Sequence, residues 1–330
     1  MNPKVVQQVN RELDSLMMDG IIRPIKKLNK PWKGKKLGCK PHPPKVVTFC
    51  NIMRIMTNRT YDGIESYVEL TSEKIKKIFH VDRVPGSSVI HRGMYKLSMV
   101  YLRKLIRLIV KEFRKRNMNI AVDSTGFSTT NSSKWFDIKV QKENSRKEYL
   151  KLHIAVDVET GIIHQFSITD GRSHDSPVFQ QLIKYLPQVE KVMGDGAYSS
   201  RENCQLVDDK NGQPFLSFSE NATGRAKGCP AWKASFYEFT ENEEEWLDEY
   251  HDREIVEAVF NSIKQRWNDY ISSRKGWLRW RELALKVLVY NTKQMLYCRR
   301  AEELGVDLWV PHRYPQDHPI AKNRNTLSEF

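Results

Sequence analysis

Three acids stand where carboxylate chemistry could converge: Asp123, Asp195 and Glu257. Asp123 closes the apolar run NIAVD and Asp195 closes KVMGD, and turn residues follow each (Ser-Thr-Gly and Gly-Ala-Tyr). In α/β sheets ligands bind beyond the carboxyl ends of strands, which puts both acids where chemistry occurs. Taken singly, an acid in such a place is more often an Asx turn or a helix cap. Glu257 is different, because Tyr250, Arg253, Glu257 and Lys264 follow the spacing Y-x2-R-x3-E-x6-K. On one continuous helix these four fall within an arc of about 60°. Val256, Val259, Phe260, Ile263 and Trp267 form an apolar face roughly a quarter-turn away, which can dock that helix on a sheet. An i,i+4 pair of Arg253 and Glu257 on a solvated helix is the plainer reading. It leaves the tyrosine and the lysine without a role.

If the three acids converge, each pair at ~4 Å repels by roughly 4 kcal/mol at an effective dielectric of about 20. At least one group must then protonate unless cations neutralise the cluster. Oxygen-only ligands select hard divalent ions, Mg²⁺ or Mn²⁺. Two such ions can activate an attacking hydroxyl and stabilise the leaving oxygen of a phosphodiester in an in-line displacement. Arg253 and Lys264 would hold phosphates, and Tyr250 would hydrogen-bond or stack nearby.

The elements that must position these residues follow from the texture of the chain. NIAVDS, YLKLHIAVDV, GIIHQFSITD, KVMGDG and PFLSFS read as five strands, the second and third joined through ETG as a hairpin. Asp175 or Ser176 can cap a helix over HDSPVFQQLIKYL, and another helical stretch begins near Arg201. The acid-rich FTENEEEWLDEYHDRE leads into a single helix through about Trp267, and helical patterning resumes from Leu278 to about Arg300. The order predicts an α/β fold with a ribonuclease-H-type mixed sheet and flanking helices over residues 118–300.

Residues 46–117 read as helical and suit a helix-turn-helix DNA-binding domain. The turn VPGSS would let Ser87 or Ser88 cap one long helix through Phe113, with His91 and Arg92 near its start as base readers. A plain helical bundle fits the same pattern. Between residues 23 and 45 lie nine Lys/Arg and no acid, interleaved with prolines. Residues 1–45 therefore read as a basic, extended arm, either a solvated linker or a set of phosphate contacts. The Pro- and polar-rich residues 301–330 form a loosely ordered C-terminal tail.

Composition narrows the partner. With 54 basic against 40 acidic residues the chain carries +14, which favours a polyanion. No uncharged apolar run approaches the ~20 residues needed to span a bilayer, and the N-terminus lacks a signal-peptide core. Nucleic acid is expected in preference to a membrane or a small molecule, in a cytoplasmic, nucleoid-associated setting. Five cysteines without a CxxC pair argue against a disulfide framework. Cys39, His42 and Cys50 lack a fourth zinc ligand at recognised spacing.

Several motifs in fixed order carry a family resemblance: RTYDGIESYV with VPGSSVI, then AVDSTGF, LKLHIAVDVETG, GRSHDS, MGDGAYSS, YHDREIVEAVFNSIKQRW and VLVYNTKQML. The sequence resembles insertion-sequence transposases of the DDE class with a Y-R-E-K signature around the catalytic glutamate. The resemblance implies Asp123, Asp195 and Glu257 as catalytic, metal-binding triad, with Tyr250, Arg253 and Lys264 on the DNA. It also implies cleavage at element ends, joining of 3′-hydroxyls to target DNA, and a homodimer that pairs both ends. Some members carry a large β-rich insertion before the glutamate; the segment here is too short for one. The basic arm matches no family element. A regulator that has lost catalysis and a metal-dependent nuclease remain alternatives.

Overall fold

The apolar run that reaches Asp123 does not stop there. The computed structural model describes residues 1–33, 41–129 and 149–310, and in it β1 spans Met118–Ser128, so Asp123 lies mid-strand. What stops is a neighbour. β2 (Tyr149–Asp157) pairs antiparallel with β1 as far as Ser128 opposite Tyr149, and β3 (Ile163–Asp170) returns beside β2. β4 (Val189–Gly194) runs parallel to β1 only until Gly194 meets Val122, and β5 (Gln213–Leu216) lies parallel beyond it. A crevice therefore opens at Asp123, where one partner strand ends and β1 continues. The order β3-β2-β1-β4-β5 is a mixed sheet consistent with the ribonuclease-H-like expectation. The expected hairpin between β2 and β3 forms, with Gly161 at φ +68°, a left-handed conformation that glycine adopts without strain.

Alternation along β1 divides its side chains between two layers. Ile120 and Val122 join Val178, Phe179 and Leu182 under α8 (Ser176–Ile183), with α9 (Arg201–Asp208) alongside. Ala121 and Phe127 join the other layer, formed by the N-terminal helices and the last helices of the chain.

Those N-terminal helices depart from the expected arm. α1 (Pro3–Arg11) and α2 (Leu13–Lys27) bury Val5, Val9, Ile21, Ile22 and Ile25. Pro24 sits inside the last turn of α2, where a missing amide costs one hydrogen bond and burial of the isoleucines outweighs it. Residues 34–40 of the arm, Cys39 among them, and residues 311–330 of the tail lie outside the described residues. α3 (Pro44–Met56) starts on proline, whose fixed φ suits a first helical position, and is buried along nearly its whole length.

α4 (Tyr61–Leu70) and α5 (Ser72–Phe79) follow. The single long helix expected after VPGSS is two: α6 (Ser87–Met94) and α7 (Met99–Ile109), with Ser98 capping α7 by accepting from the Tyr101 amide. Neither serine caps α6 with its side chain. Gly86 is its N-cap residue, and the Glu65 carboxylate from α4 accepts from the Ser87 amide. α10 (Pro230–Glu241), α11 (Glu243–His251) and α12 (Glu254–Trp267) lead to α13 (Gly276–Leu304). α13 is buried on most sides and touches α1, α2, α3, α7 and β3. One continuous apolar cluster thus runs from Val5 through Ile106 and Phe127 to Val287.

Candidate active site

Asp123 and Asp195 meet at the crevice. Asp195 directly follows β4 and caps a 3-10 turn over Gly196–Tyr198, its Oδ1 accepting from the Ala197 amide at 3.0 Å. Asp123 Oδ1 accepts from the Ser124 amide at 2.7 Å. Both carboxyls are raised above the usual carboxylate range. For Asp123 burial is the main cause, opposed by the Ser124 amide and Arg253 and reinforced by repulsion from Asp195 and Glu257. For Asp195 burial again leads, opposed by the Ala197 amide and Arg253. The pair is a half-buried pocket of negative charge with too little compensation.

The four-residue stripe does not lie on one helix. Tyr250 is on α11, Glu257 and Lys264 are on α12, and Arg253 stands at the turn between them as the N-cap residue of α12. The turn nevertheless delivers them together. Arg253 Nη1 donates to Asp123 Oδ2 at 2.9 Å, its Nη2 lies 3.6 Å from Glu257 Oε1, and its guanidinium sits 5.5 Å from the centre of the Tyr250 ring. Tyr250 stacks on Trp246 with centroids 5.1 Å apart, and Trp246 packs on Phe215 of β5. Lys264 Nζ donates to Thr125 Oγ1 at 2.7 Å, two residues beyond Asp123 on β1. The expected apolar face of Val256, Val259, Phe260, Ile263 and Trp267 is buried and docks α12 on the sheet. Glu257 itself is 59% exposed.

On the opposite face of β1 lies a polar group that the spacing of acids did not reveal as a site. Asp175 accepts from Lys151 Nζ at 2.8 Å and from Ser124 Oγ at 3.3 Å. His153, fully buried opposite Ser124, lies 3.3 Å from the Tyr198 hydroxyl and 2.9 Å from Thr169 Oγ1. Burial lowers His153 to about 4 and raises Tyr198, so both are neutral at pH 7. The signal was present in GRSHDS, but an acid before a helix reads as a cap. Asp175 is indeed the N-cap residue of α8, yet its side chain makes no capping bond. Its carboxylate goes to the network beneath Asp123 instead.

The donor set suits a hard divalent cation, because Asp123 and Asp195 offer oxygen ligands whose ionised forms lack compensation. Glu257 is engaged with Arg253, and among the described residues no three His, Cys, Asp or Glu side chains stand close enough to hold an ion. Arg92, the expected base reader, is exposed on α6 and donates to the Ser88 carbonyl oxygen at 3.2 Å, remote in sequence and element from this centre. No helix among the described residues is long and apolar enough to cross a membrane.

Residues 116–292, which contain all three acids, match the family model described as "Transposase DDE domain". Among solved structures, the chain is similar to one described as a cryo-EM structure of a piggyBac transposase synaptic complex with hairpin DNA. That likeness has a TM-score of 0.45 and 9% identity, and it covers 89% of this chain and 74% of the other. It is too distant to carry residue roles.

Proposed function

We propose, for a chain that belongs to the transposase DDE domain family, that Asp123, Asp195 and Glu257 are its catalytic acids and that it cleaves DNA at element ends and joins 3′-hydroxyls to a target. The observation that carries this reading is the aspartate pair at the β1/β4 crevice, with both carboxyls raised and Arg253 linking Asp123 to Glu257. Mg²⁺ or Mn²⁺ bound by the two aspartates and Glu257 would supply the positive charge that a reacting phosphodiester requires. The Y-R-E-K residues have distinct duties. Arg253 holds Asp123 in place, offsets part of its charge and links it to Glu257. Lys264, fixed to β1 through Thr125, presents a cation beside the crevice for a DNA phosphate. Tyr250, clamped by Trp246, keeps the guanidinium over the site. Double-stranded DNA is the partner, and a homodimer pairs the two ends.

The Arg253–Asp123 ion pair favours one second reading, a DNA-binding regulator without catalysis, because the arginine stands where a cation would. One assay separates the readings. A supercoiled plasmid carrying the gene with its native flanks is incubated with purified protein and Mg²⁺. Excision and strand joining, lost in Asp123→Asn, are expected; binding with no nicking at any Mg²⁺ or Mn²⁺ concentration would establish the regulator instead.

A further inference from the structure

Away from the aspartate pair, α3, α4, α6 and the segment joining α12 to α13 enclose a cavity of about 520 Å³. That volume is on the scale of a small-ligand site, roughly 300–1,000 Å³. Its walls are cationic. Arg54, Arg59, Arg274, Lys275 and Lys286 line it, and Glu282 is the acid among the lining residues. Two of these charges are already committed. Glu282 accepts from the Ser272 and Ser273 amides and the Ser273 hydroxyl, and Lys286 Nζ donates to the carbonyl oxygens of Asn268 and Tyr270. Arg54 is the anomaly. It is 6% exposed, and its Nε and one Nη have no hydrogen-bond partner among the described residues. A buried guanidinium with idle donors is costly, and an anion held beside it offsets part of that cost through its charge.

We propose that this cavity is a subsite for a backbone phosphate of DNA, distinct from the carboxylate centre. The inference rests on the reading that the chain acts on DNA. Phosphate fits the charge: Arg54 lines the cavity wall, while Arg59, Arg274 and Lys275 are exposed at the rim, where they draw an anion inward. A stacked base fits less well, because the aromatic rings are already engaged. The Arg54 guanidinium lies 4.5 Å from the Tyr61 ring centre, and Lys275 Nζ lies 5.2 Å from that of Tyr95. His91 stands edge-on between those two rings, at 4.8 and 5.1 Å. The rings hold the cations in place. The subsite joins the helical region to the catalytic layer, since α12 and α13 border it and also cover the sheet.

The test is the salt dependence of binding of a fluorescein-labelled duplex, taken from the element's flanks, to the full chain. Each phosphate contact contributes about 0.9 to the slope of log K against log salt. Arg59→Gln/Lys275→Gln, both at exposed positions, should lower that slope by up to about 0.9 while melting like wild type. Arg54→Gln should lower it by about one, and Arg54→Lys should restore part of the loss. If Arg54→Gln fails to fold, the rim variant still decides. A folded rim variant with an unchanged slope would overturn the subsite and leave the transposase reading intact. Wild-type protein that binds no DNA would sink both, and the plasmid assay would show that failure independently.

Discussion

At the scale of single residues, an ionised Asp195 is disfavoured by the fold, because burial raises its carboxyl above the usual range. A raised acid binds its proton more tightly folded than unfolded, so its effect favours the native state at low pH. That advantage disappears as pH climbs from the ordinary carboxylate pKa, near 4, through the raised value. Asp195→Asn keeps an oxygen for the Ala197 amide and removes the charge. In Mg²⁺-free buffer it should melt above wild type at pH 7, and the gap should close near pH 3; a lower melting temperature at pH 7 would reject the account. The same variant should lose plasmid cleavage. Glu257→Gln should lose it too, whereas Glu254→Gln, exposed on the first turn of α12, should keep most activity. The reverse pattern would move the site by one turn. These acids were legible in the sequence because each interrupts or borders an apolar run. Asp175 was not, since nothing in HDSP distinguishes a capping acid from one that turns inward to Lys151 and Ser124.

At the scale of elements, the strands and α12 were readable from alternation and from the face that starts at Val256, but breaks between helices were not. The segment 243–267 contains neither proline nor glycine, so nothing local announces the turn at Asp252–Arg253. Its cause is tertiary. On one straight helix, Trp246 would lie about a quarter-turn and Tyr250 more than a third of a turn from the Val256–Ile263 face. The former must reach Phe215 on β5 and the latter the layer under β1, so the helix divides and Arg253 is aimed at Asp123. β3 carries a different liability. His164 is 4% exposed, neither ring nitrogen has a partner among the described residues, and burial lowers it to about 4. The unfolded chain takes up a proton below about pH 6.5 that the folded chain refuses, so stability falls as pH drops from there toward 4. His164→Leu should reduce that acid sensitivity by up to about 1.4 kcal/mol per pH unit in urea melts. Parallel profiles for wild type and variant would show that His164 is not responsible.

At the scale of the whole molecule, sequence charge suggested a detachable arm, yet its first part is built into the core. The Asn2 amide donates to the Leu308 carbonyl oxygen, Tyr297 of α13 reaches Asn10, and Gly20 of α2 sits so close that an added Cβ would lie 2.8 Å from Thr292 of α13. Composition could not reveal this, because basic residues on the outer face of α2 mask the isoleucines on its inner one. Removing residues 1–27 should therefore yield insoluble protein, for it strips Val5, Val9, Ile21 and Ile25 from one continuous cluster. Lys30 and Lys33, just past the end of α2, are separable from that packing. Both are exposed, and Lys35 and Lys36 lie outside the described residues. Changing Lys30 and Lys33 to Gln should leave the melting temperature within a degree or two, since surface substitutions rarely shift stability by more than about 0.5 kcal/mol. The slope of log K against log salt should fall by up to about 0.9 for each lysine on a phosphate. Because phosphates are the same in every sequence, element-end DNA and random DNA should lose affinity by equal factors. Loss confined to element ends would mean that this segment reads bases, and the assignment of sequence-independent affinity to it would be wrong.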